Sequence, residues 1–143
     1  MTTRTGFTRG YRVWFLLDAL VTGVNAAAYL LLHRWLDDVL GANPTIYLVV
    51  GVVLTAFTFT LAAVACTSRP LIGLANLLVV LNTAWSIGSI VIAIVNPYGF
   101  NGWGLAWVAA QAAVVLAFTT LQATALGRQR NARLAPTPRQ SLR

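Results

Sequence analysis

Leu17-Asp18-Ala19-Leu20-Val21-Thr22-Gly23-Val24-Asn25-Ala26-Ala27-Ala28-Tyr29 is the stretch that decides the fold. Its polar residues Asp18, Thr22, Asn25 and Tyr29 recur at intervals of four, three and four, which at about 100° per residue lines them along one stripe of an α-helix. Everything between them is apolar or small. A polar side chain in hydrocarbon is costly unless it finds a partner, so the stripe is expected to face protein and the remaining surface to face lipid. Working outward, the apolar run fills residues 13–32, about twenty residues and therefore one bilayer crossing at about 1.5 Å per residue. Arginines before an apolar run, followed by the small residues Asn25-Ala26-Ala27-Ala28, also resemble a secretory signal. Against that reading, Tyr29-Leu30-Leu31-Leu32 carries the run past any cleavage point, and Asp18 and Asn25 lie inside it.

Three more apolar runs follow, at residues 46–66, 71–95 and 103–126, so the expected fold is an all-α membrane protein, a four-transmembrane-helix antiparallel bundle. Between the first two, residues 33–45 hold charge, an Asp37-Asp38 pair, Gly41 and an Asn43-Pro44 turn signal, so the chain is expected to leave the membrane there. Trp35, Leu36, Val39 and Leu40 fit one amphipathic turn at headgroup level. Thr67-Ser68-Arg69-Pro70 is a very short connection, with Pro70 suited to the first turn of the next helix, and such connections make neighbours pack antiparallel. Residues 1–12 read as a basic leader. Residues 127–143, with five arginines and two prolines, read as a basic tail that is disordered or lies against headgroups.

The composition agrees with this division. Of 143 residues 58% are hydrophobic and 9% charged, and the mean hydropathy of +0.74 lies outside the balance of a water-soluble domain. The net charge of +7 comes from arginine alone, confined to the ends and short loops, which argues for membrane orientation and anionic lipid headgroups and against nucleic acid. Nine of the ten arginines fall on the side of the two termini, and Arg34 stands alone on the other beside Asp37 and Asp38. The positive-inside rule therefore places both ends in the cytoplasm, N-in and C-in, and a bias this strong argues against dual topology.

Polar residues on the other helices extend the pattern. Gly51, Thr55, Thr58 and Ala62 form a run of small residues that lets two backbones approach closely. The third helix carries Asn82, Ser86 and Ser89 on one side and Asn76 and Thr83 on a second, and the fourth aligns Gly104, Gln111, Phe118 and Gln122. Measured from the expected helix ends, Asp18, Asn76 and Gln122 share one depth and Asn25, Asn82 and Gln111 another, which predicts two buried polar layers. Such amides ordinarily act as hydrogen-bond glue between helices, worth about 0.6 kcal/mol each on average. Asp18 stands apart, because an aspartate at a helix centre costs about 2.5 to 3.5 kcal/mol on insertion scales. It reads either as a structural hydrogen-bonding group, donating to Asn76 or Gln122 if neutral, or as a proton or cation site within reach of water or Arg69.

Several chemistries find no footing. His33 is the single histidine, so one chain supplies neither a bis-histidine haem nor a histidine-rich metal site, and no cofactor is implied. The lone Cys66 rules out a Cys-x-x-Cys redox pair and reads as a small packing residue. Gly99-Phe100-Asn101-Gly102-Trp103-Gly104 lacks a phosphate-binding Lys or Ser and reads as a turn. Trp14, Trp35, Trp103 and Trp107, with Tyr11, Tyr47 and Tyr98, fit an aromatic belt. Trp85 lies mid-helix, where it either packs or lines a pocket. Asn25-Ala-Ala-Ala-Tyr29 can be laid over Asn82-Thr-Ala-Trp-Ser86 as a parallel hairpin repeat, though the match is short for an Ala-rich chain.

The 17–29 stretch, with Asn82-Thr83-Ala84-Trp85 and the segment from Gln111 to Gln122, resembles a group of small actinobacterial integral membrane proteins that span the membrane four times and have no assigned activity. The resemblance covers most of the membrane region but not the tails. It implies a multi-pass location in a bacterial cytoplasmic membrane and carries over no catalytic residue. The expected function is non-enzymatic, acting by helix packing as an oligomer or as an accessory subunit with another membrane protein. The alternative is a small transporter or ligand-binding bundle with Asp18 as its ionisable group.

Overall fold

The structure, a computed structural model, describes residues 9–68 and 70–134, apart from the side chains of Arg9 and Arg133. The rest of the expected leader and tail, and Arg69, lie outside the described residues. Four helices follow one another: α1 (Arg9–Leu40), α2 (Pro44–Cys66), α3 (Ile72–Val95) and α4 (Gly102–Leu134). Each is long and apolar enough to cross a membrane. At about 1.5 Å per residue even the shortest exceeds the roughly 30 Å of bilayer hydrocarbon. The outward faces suit lipid, with Leu31, Ile94, Phe59 and Trp103 all more than 70% exposed.

Three boundaries differ most from the sequence expectation, the first being the start of α1, at Arg9 rather than residue 13. The first helix does not stop at Leu32 but continues to Leu40 across an irregularity at Leu32 (φ −114°, ψ 17°). His33 Nδ1 lies 3.1 Å from the Leu30 carbonyl, which only accepts, so the ring donates to an oxygen that the helix ladder would otherwise use. Beyond this break Leu36 and Leu40 are buried while Trp35 and Val39 are exposed, so the extra turns are amphipathic and packed against the bundle. At the other end, residues 127–134 are not a loose tail but continue α4 to Leu134. They are built mainly from good helix formers, Gln129 is buried, and the helix stops just short of the residue preceding Pro136.

The helices pair as two hairpins. Helix α1 packs along α2 and α3 along α4, and the hairpins join mainly through α1 against α4. The backbones of α2 and α3 approach closely at few points, but Leu61, Val64 and Ala65 of α2 share one buried apolar cluster with Ala75 and Leu78 of α3. The small-residue run of α2 serves α1 instead. A Cβ added to Gly51 would lie 2.9 Å from the Leu30 side chain, and one added to Gly23 would lie 3.1 Å from the Thr58 methyl. Thr55 and Thr58 return their hydroxyls to the carbonyls of Gly51 and Leu54, at 2.8 Å each, and so present no unsatisfied polar group to α1.

Both ends are tied by backbone groups. At the end holding the α1–α2 and α3–α4 loops, Gly41 and Phe100 form an antiparallel bridge. Asn101 N–H donates to the Leu40 carbonyl (3.0 Å), its Nδ2 to the Val39 carbonyl (2.8 Å), and the Tyr47 hydroxyl to the Gly41 carbonyl (2.7 Å). Asn96, in the left-handed region that ends α3, clasps Phe100 through both backbone groups at 2.7 and 2.8 Å. The glycine-rich turn thus locks one hairpin to the other. At the opposite end, where α1 begins and α4 finishes, Arg12 Nη2 donates to the Thr67 carbonyl at 2.9 Å and so caps α2 with a cation. Cys66 is exposed rather than packed.

Gly104 sits where a Cβ would strike the Leu40 carbonyl and the Phe100 ring, whereas one on Gly88 would meet nothing within 4 Å. Gly104→Ala should therefore cost about 1–3 kcal/mol through overpacking of the loop lock. Gly88→Ala should be neutral or slightly stabilising, both read by thermal unfolding in detergent.

Candidate functional site

The polar residues of α1 meet partners from two other helices in a ladder along the bundle interior. Its lowest rung is Asp18, 1% exposed. One carboxylate oxygen accepts from the Thr22 hydroxyl at 3.1 Å, one turn along the same helix. The other accepts from Asn82 Nδ2 at 2.9 Å and from Gln122 Nε2 at 2.6 Å. Asn82 Nδ2 also reaches Gln122 Oε1 at 3.3 Å, closing a triangle across α1, α3 and α4. Ser86, one turn above, returns its hydroxyl to the Asn82 carbonyl at 3.0 Å.

The second rung is a reciprocal amide pair. Asn25 Nδ2 donates to Gln111 Oε1 at 3.1 Å, and Gln111 Nε2 donates to Asn25 Oδ1 at 3.0 Å. The third is Trp107 Nε1 donating to the Tyr29 hydroxyl at 2.8 Å, with Tyr29 set edge-on to Tyr47. A step of four from Asn25 to Tyr29 on α1 is met by a step of four from Gln111 back to Trp107 on α4, as antiparallel helices require. Sequence reasoning placed Trp107 in an aromatic belt and missed this role. The signal lay in its spacing of four from Gln111, which puts both on one face.

Polar layers therefore exist, but their membership is corrected. Asn82 belongs with Asp18 and Gln122, not with Asn25 and Gln111, and Asn76 is exposed, with no hydrogen-bond partner among the described residues. The error came from the helix ends. Asp18 lies nine residues past the true start of α1 at Arg9, and Asn82 ten past the start of α3 at Ile72, so the two lie at one depth. Starting α1 at residue 13 made Asp18 look shallow and matched it to Asn76. Trp85 is 37% exposed and lines neither cleft described below, and Thr83 turns its hydroxyl back to Val79.

Chemically, the Asp18 carboxylate faces three neutral donors and, among the described residues, no cation. Arg69, the cation expected within its reach, lies outside them. No three of His, Cys, Asp or Glu gather among the described residues in a way that would hold a metal ion. Of the surface clefts, one of about 190 Å³ between α3 and α4 and one of about 300 Å³ between α1 and α4 take no rung residue except Trp107 into their walls.

Removing one partner of a buried pair should cost more than removing both. Asn25→Leu, which strands Gln111, should lose about 1–2 kcal/mol, and the Asn25→Leu/Gln111→Leu double variant less. Asn82→Leu, which takes a donor from a buried carboxylate, should lose about 2–3 kcal/mol. Reversible unfolding in mixed micelles would read all three, and simple additivity at the amide pair would refute the assignment. Compared with protein-family models, with curated proteins and with solved structures, the chain matches none.

Proposed function

We propose that this membrane protein is non-enzymatic and acts through helix packing, as a homo-oligomer or as an accessory subunit of a larger membrane complex. The observation that carries the reading is the closure of the polar interior on itself. Asp18, Asn82 and Gln122 satisfy one another, Asn25 and Gln111 do the same, and neither cleft reaches these groups. A bundle with its hydrogen-bonding groups spent internally has its outer helix faces left for interaction. The exposed large apolar side chains of α2 and α3, among them Val49, Val52, Phe59, Val80 and Ile87, add support, since they offer surface to a helix from another subunit. In this reading the protein sits in a bacterial cytoplasmic membrane with both ends in the cytoplasm, on the strength of the arginine distribution, and its tails meet anionic headgroups.

In-membrane cross-linking followed by purification in mild detergent should yield a defined oligomer or a stoichiometric partner. Protease should reach the C-terminal tail only in inside-out vesicles. A monomer recovered without any partner would refute the packing role.

A second reading, a small transporter or ligand-binding bundle, is favoured by one observation, a buried carboxylate without a basic partner among the described residues. In that case Asp18→Asn should abolish proton-coupled uptake or ligand binding in proteoliposomes, and full retention would end it.

A further inference from the structure

The cleft between α3 and α4 lies at the end of the bundle where α1 begins and α4 finishes, and its lining is polar at one level and apolar at the next. Asn76 lies four residues into α3, and Arg130 lies four before the last residue of α4. Below them Val79, Ala123 and Leu126 form an apolar wall, and the cleft measures about 190 Å³. Gly127 keeps it open, since a Cβ there would meet nothing within 4 Å.

Two groups in this cleft have no polar partner among the described residues. The Asn76 carboxamide is exposed and has no hydrogen-bond partner among the described residues. An exposed amide at the membrane end of a helix is free to donate to a ligand oxygen. Arg130 has no anionic partner among the described residues. The chain has only three acidic side chains, of which Asp18 is enclosed by its own donors and Asp37 and Asp38 stand at the opposite end of the bundle. Neutralisation of Arg130 by a carboxylate side chain of the same chain is therefore excluded by geometry.

We propose that this cleft is a specific site for one anionic phospholipid. The guanidinium of Arg130 takes the phosphate, which its planar fork matches in two hydrogen bonds. The Asn76 amide donates to a glycerol-ester or phosphate oxygen, and an acyl chain descends along Val79 and Leu126. A basic pocket between membrane helices at headgroup depth is the setting in which such lipids are held. The inference rests on the bilayer placement of the helices and goes beyond the packing role, since a lone subunit carries the whole site.

The test is native mass spectrometry of the full chain released from detergent, titrated with phosphatidylglycerol or with phosphatidylcholine. Phosphatidylglycerol should bind at least about tenfold more tightly. Arg130→Gln and Asn76→Leu, both at exposed positions, should each weaken it about tenfold, while Arg128→Gln, whose residue does not line the cleft, should leave it nearly unchanged. Gly127→Leu should fill the cleft and displace the lipid without lowering the unfolding temperature of lipid-free protein. Millimolar inorganic phosphate should not compete, because it lacks the acyl chain. Equal binding of the two lipids, equal losses in Arg128→Gln and Arg130→Gln, or displacement by phosphate alone would overturn the site. A monomer that still selects phosphatidylglycerol would keep the site while refuting the packing role.

Discussion

A carboxylate sealed away from water must be met by donors from its own protein, and the arrangement of this bundle follows from meeting that demand at Asp18. Thr22 supplies one donor from the same helix, but the two shorter bonds come from Asn82 on α3 and Gln122 on α4. These residues are 64 and 104 positions away along the chain. They can reach Asp18 only if the second hairpin docks against the first at one depth and one rotation. A slide of one turn, about 5.4 Å, would break both bonds. In hydrocarbon, where apolar contact with a helix differs little from apolar contact with lipid, such a polar constraint specifies register better than greasy surface does.

The rest of the interior repeats that constraint at other heights. The Asn25–Gln111 pair and the Trp107–Tyr29 bond fix the same α1–α4 register. The Gly41–Phe100 bridge fixes it again beyond the membrane helices. Apolar clusters fill the intervals, one around Tyr11, Phe15 and Leu61 and one around Tyr29, Tyr47 and Phe100. The result is asymmetric. The α1–α2, α3–α4 and α1–α4 pairs are closely packed, the Asp18–Asn82 bond stitches α1 to α3, and α2 and α3 meet chiefly through apolar side chains.

What the sequence discloses depends on how local the physics is. The polar stripe on α1 could be read because helical periodicity is a property of a dozen neighbouring residues, and the four spans could be read because hydropathy is summed over each. Which residues bond to which could be read only in part. Gln122 was matched to Asp18, but Asn76 took the place of Asn82, because depth was counted from ends that charge and turn residues set too short. Arg9, Gly10, Tyr11 and Arg12 look like a soluble leader, yet they continue α1, where Tyr11 packs in the core and Arg12 caps α2. The loop lock was invisible for a different reason. Gly41 and Phe100 are brought together by the fold of both hairpins, and no local pattern around either announces the other.

The position of Asp18 in the chain also has a consequence for biosynthesis. Its helix is made first, and its two strongest donors are made only when the third and fourth spans emerge. Until then Thr22 is its sole side-chain partner among those described here, and insertion of an aspartate near a helix centre costs about 2.5 to 3.5 kcal/mol. On its own, the first hairpin therefore leaves the Asp18 carboxylate short of donors. Arrival of Asn82 and Gln122 supplies the two donors that offset that cost.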